Sequence, residues 1–153
     1  MLQDPPSPPR QRRHSCPPWD HLRKVLNTAT AYRVLERAEV REGTWTSGGC
    51  GILAEAIHAL LPDSRLWDLH DASGAQHVVV ETPAGDFIDG DGVSARATLR
   101  RRWIQVEGLR PPLRLVPHDR AHCQAKGIPC APADIARVRR FLARALRSGL
   151  LHE

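Results

Sequence analysis

From residue 20 to about 37, Leu22, Val25, Leu26, Ala29, Tyr32 and Leu35 recur at three- and four-residue steps, which predicts an amphipathic helix. A polar, glycine-containing connection follows, REGTWTSGGCG. A second helix is expected over 51–61, striped by Leu53, Ile57, Leu60 and Leu61. Pro62 ends it, because the residue before a proline avoids helical geometry. The period then changes. Residues 65–69, 77–81 and 86–89 are short runs divided by the turn-formers DASGAQ and TPAGD, and they predict three antiparallel strands. After Gly92, Leu99 and Trp103 stand four apart and predict a short helix, and residues 113–116 predict another strand. A long helix is expected over 132–150, with Ile135, Val138, Phe141, Leu142, Ala145 and Leu146 on its buried face. Pro132 suits its first position and Asp134 its positive end. Helices flanking a small antiparallel sheet make the fold class α+β.

One turn is specified further. In Thr82-Pro83-Ala84-Gly85-Asp86, Pro83 presets the first corner of a type I turn and Gly85 supplies the left-handed residue of a three-residue hairpin loop. That loop opposes Thr82 to Asp86, and therefore Val79 to Asp89. Side chains alternate along a strand, so His77 shares the face of Val79. His77 and Asp89 thus become diagonal neighbours on one face, within side-chain reach. A two- or four-residue loop would separate them onto opposite faces.

Composition adds limits. A chain of 153 residues with 41% hydrophobic and 25% charged side chains has enough apolar material for a core. Residues 1–18 hold six of the 13 prolines and little that could pack, and read as a disordered, Pro/Arg-rich basic tail. Residues 19–153 then read as a single α+β domain. Apolar runs are too short to span a bilayer, which takes about 18 residues, so no membrane partner is expected. The N-terminus lacks the apolar stretch of a signal peptide. Four cysteines, at 16, 50, 123 and 130, are too few and scattered for a disulfide scaffold. A reducing, cytoplasmic location is the expectation.

The formal net charge of +5 hides its distribution. Residues 1–50 carry a net +3, residues 51–93 a net −7 and residues 94–153 a net +9. Nucleic acid is therefore expected to dock, if at all, through the basic flanks. Arg100, Arg101 and Arg102, and Arg137, Arg139, Arg140, Arg144 and Arg147, make basic faces that also suit the solvated sides of amphipathic helices. With one Tyr and two Phe, the aromatics that stack on single-stranded bases are scarce.

Three residues of the acidic middle stand out. Cys50 lies in Ser47-Gly48-Gly49-Cys50-Gly51, directly before a predicted helix. The thiolate is the nucleophilic form of cysteine, and a helix N-terminus or a nearby imidazolium stabilises it. Unpaired N–H groups at that terminus could receive an oxyanion, and Gly48, Gly49 and Gly51 allow a substrate carbonyl to come close. His77 is the polar residue that leads into Val78, Val79 and Val80, and could act as base. Of Asp86, Asp89 and Asp91, the hairpin register favours Asp89 as the group that orients the ring, and turn chemistry accounts for Asp91. The same residues also suit a buried structural cysteine and a strand histidine bonded to backbone.

GGCGILAEAIHAL and QHVVVETPAGDFIDGDGV resemble the catalytic segments of papain-like and transglutaminase-like cysteine enzymes, nearest to compact bacterial papain-fold deamidase and toxin domains. The resemblance covers about residues 44–93. It implies Cys50 as nucleophile, His77 as general acid–base and Asp89 as orienter, within a papain-like core extended by the C-terminal helix. The implied function is a cysteine hydrolase or acyl-transferase acting on an amide of a protein or peptide, by deamidation, amine transfer or peptide cleavage. Six residues before the cysteine, where papain-like peptidases usually carry Gln for the oxyanion, stands Thr44. That departure favours a deamidase or transferase and leaves oxyanion binding to backbone.

No cofactor or metal is called for. The DGDG string lacks the spacing of a calcium loop. His118, His122, Cys123 and Cys130 are zinc-binding residue types, with His118 and His122 expected on one helix face, but their spacing fits no common ligand pattern. They are expected to be exposed near a proline-rich connector. Cys16 with His14 and His21 carries less still, and His58 and His70 are expected at the surface. The alternative to an enzyme is a non-enzymatic basic nucleic-acid or protein-binding module built on the Arg-rich final helix. A third reading is an inactive papain-like fold retained for protein binding.

Overall fold

The computed structural model describes residues 19–38, 40 and 43–149. The expected tail at 1–18, with His14 and Cys16, lies outside the described residues, as does Leu150 at the end of the expected last helix. The described residues form an α+β fold with a five-stranded antiparallel sheet and six α-helices. After a 3-10 turn at Trp19–His21 come α1 (Leu22–Leu26), α2 (Ala29–Glu36) and α3 (Cys50–Leu60). The strands β1 (Arg65–Asp71), β2 (Gly74–Glu81), β3 (Phe87–Asp89) and β4 (Gly92–Ser94) follow. Next are α4 (Arg96–Gln105), β5 (Arg114–Pro117), α5 (Arg120–Ala125) and α6 (Pro132–Gly149). The strand order is β4-β3-β2-β1-β5.

The first helix differs from expectation: it is two helices, broken at Asn27 and Thr28. Thr28 explains the break, since its Oγ1 accepts from Ala31 N at 3.2 Å to cap α2 and donates to Val25 O at 2.8 Å. A threonine that bonds its neighbouring backbone competes with helix continuation. The new phase turns Tyr32 outward, to 41% exposure, although it falls on the single-helix stripe. Strand β2 starts three residues before the expected 77, because Asp71 accepts from Ser73 N at 2.7 Å and tightens the turn to Ala72 and Ser73. Strand β4 was not expected. Asp89 pairs with Gly92 across a tight turn, in which Asp89 Oδ1 accepts from Asp91 N at 3.0 Å.

The hairpin register agrees with the reading of TPAGD. Thr82 N bonds to Asp86 O at 2.8 Å, Gly85 sits at φ +85°, and Val80 pairs with Ile88. Alternation along β2 then sorts its side chains into two cores. Val78 and Val80 face α3 and α6, joining Ile52, Leu53, Ile57, Val138 and Leu142. Val79 faces the other way, with Leu69 and Phe87, and is covered by Leu99 and Trp103 of α4. Helix α6 is no appendage, for it packs along α3 with Val138 and Leu142 fully buried. None of the described helices is long and apolar enough to cross a membrane.

Candidate active site

Cys50, His77 and Asp89 are 39 residues apart in sequence at their extremes, and the fold gathers them where the start of α3 meets β2 and β3. The hairpin places His77 and Asp89 on the α4 face, where His77 Nε2 lies 3.1 Å from Asp89 Oδ2. Both side chains are essentially fully buried. The other ring nitrogen, Nδ1, is buried and has no hydrogen-bond partner among the described residues. It is the nitrogen left open for the Cys50 thiol, which is close enough to the ring for each group to shift the other's ionisation.

Helix α3 packs on the opposite face from His77, yet its first residue reaches the ring. The reason lies in the short β3. Alternation that gives Val80 and Thr82 their bonds to β3 aims the Val78 N–H at the same side, beyond the point where β3 pairs with β2. The Cys50 thiol lies close enough to the N–H groups of Val78 and Gly51 for both to favour its thiolate.

These contacts set the electrostatics. Burial alone would push the Cys50 thiol up, but the His77 hydrogen bond and charge, with the N–H groups of Val78 and Gly51, outweigh it and hold the thiol below its ordinary value. Burial alone would lower His77, but Asp89 and Cys50 together raise it to about 9. Burial would likewise raise Asp89, and His77 and Arg102 bring it below the ordinary carboxylate value. Opposite shifts on thiol and imidazole favour a thiolate–imidazolium pair.

Two further side chains complete the arrangement, and both come from α4. Arg102 Nη2 bonds Asp89 Oδ2, and its Nε lies 3.2 Å from Asp91 Oδ2. The indole of Trp103 lies against the His77 ring. In the sequence, Arg102 read as part of a solvated basic face, and Trp103 only as the partner of Leu99 that predicts a short helix. The one signal available was their adjacency, which puts a cation and an aromatic on neighbouring positions of a short helix.

The glycines before α3 serve the loop. At Gly49 a Cβ would lie 2.7 Å from Leu35 Cδ1 and 2.8 Å from Thr44 O, and at Gly48 the backbone has φ +83°. The Gly49 N–H bonds to Thr44 O at 3.0 Å. Thr44 is fully engaged in this turn, with Oγ1 accepting from Ser47 N at 3.0 Å. At Gly51 a Cβ would make only ordinary contacts, the nearest 3.5 Å away at Pro129 O. Gly90, in the turn after Asp89, abuts Trp45 and Thr46 so closely that a Cβ would lie 2.8 Å from Thr46 Cγ2. This contact seats the Asp89 turn against the loop that carries Cys50.

The second cluster departs from expectation. His118 is not on a helix with His122; it precedes α5, whereas His122 lies on that helix and is exposed. Cys123 and Cys130 are buried, not exposed, and the His118 side chain is 4% exposed. His118 sits between two carboxylates, with Nδ1 2.6 Å from Asp68 Oδ1 and Nε2 3.0 Å from Glu55 Oε1. Burial lowers its pKa, and the two carboxylates more than reverse this, so the net shift is upward. Burial pushes the Cys123 thiol up to about 12 and raises Cys130. His58 is half-buried and paired with Ser64 Oγ at 2.8 Å, and His70 is half-buried as well, so neither lies fully at the surface.

The acidic middle is therefore not an acidic surface. Glu55, Asp68, Asp71 and Asp89, four of its eight acids, are buried. Glu55 pairs with Arg120, Asp68 with His118 and Asp89 with Arg102, all bases from the following segment.

No family model, curated protein or solved structure matches this chain.

Proposed function

We propose that this protein is a cysteine-dependent hydrolase or acyl-transferase acting on an amide of a protein or peptide. One observation carries the reading: a thiol held below its ordinary pKa beside a buried imidazole raised to about 9, whose far nitrogen is fixed by a carboxylate. That combination is what nucleophilic catalysis by cysteine requires. The Cys50 thiolate attacks the amide carbon, a C–S bond forms, and the carbonyl electrons move to oxygen. The Cys50 N–H, in the first turn of α3 where no intrahelical acceptor exists, receives the oxyanion, joined by the Gly51 N–H as the sulfur's charge passes into the new C–S bond and frees it. His77 Nδ1 gives its proton to the leaving nitrogen as the C–N bond breaks, leaving a thioester. Water or an amine, deprotonated at the same nitrogen, attacks the thioester and releases the thiol. Asp89 keeps the ring oriented and its charge favourable, and Arg102 keeps Asp89 in place.

The test uses a peptide library containing glutamine, incubated with the full chain with and without hydroxylamine and read by mass spectrometry. Ammonia loss with a carboxylate product indicates deamidation, a hydroxamate indicates transfer, and shorter chains indicate peptide cleavage. The Cys50→Ser variant should lose the product in each case. Product formation that persists in Cys50→Ser refutes the reading.

A non-enzymatic alternative rests on a groove of about 480 Å³ between α2 and α6, lined by Arg37, Arg140 and Arg144 beside Phe141. Steeply salt-dependent binding of nucleic acid, unchanged in Cys50→Ser, supports that alternative.

A further inference from the structure

Apart from Cys50, His77 and Asp89, three buried side chains from separate parts of the chain converge: Asp68 of β1, His118 after β5 and Cys123 of α5. One carboxylate oxygen, Nδ1 and Sγ lie within 4.8 Å of one another. His118 Nδ1 is 2.6 Å from Asp68 Oδ1 and 4.0 Å from Cys123 Sγ. Asp68 and Cys123 are 2% and 1% exposed. We propose that Asp68, His118 and Cys123 form a binding site for a divalent cation of the zinc class, independent of the role of Cys50.

The donor set selects the ion. One carboxylate oxygen, one imidazole nitrogen and one thiolate suit zinc, whereas magnesium and calcium take oxygen ligands. Zinc–ligand bonds of about 2.0–2.3 Å put tetrahedral ligands roughly 3.2–3.7 Å apart. Metal binding then requires Nδ1 and Oδ1 to open by about 0.6 Å and the sulfur to close by about 0.3 Å on Nδ1 and by up to about 1 Å on the carboxylate oxygen. The second oxygen of Asp68 or a water completes the coordination.

The surroundings are those of a metal-bound histidine. Nε2 of His118 faces Glu55 Oε1 at 3.0 Å, so it carries the proton and turns the Nδ1 lone pair toward the ion. Glu55 is itself held by Arg120, through Nε at 2.9 Å and Nη2 at 2.6 Å. The bound ion would tie α5 to β1 and to the end of β5.

The test is cobalt substitution of the chelator-stripped full chain. One cobalt(II) per chain is expected, with a near-ultraviolet thiolate-to-cobalt band and visible bands of tetrahedral geometry, both displaced by zinc. Cys123→Ser, nearly isosteric, should abolish the thiolate band, and Asp68→Asn should weaken cobalt binding at least tenfold. Cys50→Ser and Cys130→Ser should keep the band. Zinc should also raise the Tm of the wild-type chain, a readout needing no variant. The absence of a thiolate band and of a zinc-dependent Tm shift in the wild type overturns the proposal. So does a band that survives Cys123→Ser or vanishes in Cys50→Ser, since the metal then sits elsewhere.

Discussion

The indole of Trp103 packs on the imidazole of His77 with ring centroids 3.9 Å apart and planes tilted by 32°. Asp89 fixes the ring at one nitrogen and Trp103 fixes its face, so Nδ1 is the ring nitrogen left without a partner. A charged imidazole over an aromatic face is also favoured electrostatically. His77 ionisation should therefore be visible in Trp103 emission. The difference in fluorescence between wild type and Trp103→Phe should change with a midpoint near pH 9, where His77 loses its proton. His77→Gln should remove that transition. A difference signal flat from pH 6 to 10 contradicts the assignment.

Cys50 should react before the other thiols as pH is raised. Its pKa is lowered, whereas burial raises those of Cys123 and Cys130. Iodoacetamide at pH 6–7, with peptide mapping, should label Cys50 in preference to both. His77→Ala removes the main stabiliser of the thiolate and should slow that labelling by about tenfold, the equivalent of roughly one pKa unit. Equal labelling of the three, or no effect of His77→Ala, is the contrary result.

Asp89→Asn leaves a buried imidazole without its carboxylate and should cost about 3–5 kcal/mol near neutral pH, measured by urea unfolding. The pH dependence of that loss has a definite sign. His77 is raised from 6.5 to about 9, so its contribution is complete below about 6.5 and fades as pH rises through about 9. Asp89 is lowered, so its contribution is complete above its ordinary value and fades as pH falls through the folded one. The gap between wild type and Asp89→Asn should be widest between these limits and narrow at both ends.

The glycines before and inside α3 should respond in opposite directions. Gly49→Ala forces a methyl against Leu35 and the Thr44 carbonyl and should destabilise by about 1–3 kcal/mol. Gly51→Ala meets only ordinary contacts inside a helix and should be neutral or stabilising by up to about 1 kcal/mol. Thermal melts of the two variants decide this.

Arg102→Lys should not replace Arg102, because one ammonium cannot reach both Asp89 and Asp91 as the guanidinium does. The loss should be about 1 kcal/mol, modest because Arg102 is 19% exposed. Its more telling sign is a lower rate of Cys50 labelling at pH 6–7 than in wild type.

Local chemistry made part of this protein legible in its sequence. The loop TPAGD carried enough turn information to fix the register of β2 and β3, and with period-two alternation that sufficed to pair His77 with Asp89. The glycines, followed by a helical stripe, put Cys50 directly before a helix expected at 51–61, and in the structure it is the first residue of α3. The break at Thr28 was missed because one side chain's bonds to backbone outweighed an uninterrupted apolar period. What only the tertiary structure decided involves groups from distant segments. The end of β3 leaves Val78 N–H for the Cys50 sulfur, α4 lays Arg102 and Trp103 on Asp89 and His77, and Asp68 reaches His118 fifty residues away. Burial removes the water that would otherwise screen these charges, so partners unreadable from spacing become the ones that set ionisation. For the same reason the segment that sums to −7 is not an acidic face, because half its carboxylates lie inside, most against bases that the sequence places elsewhere.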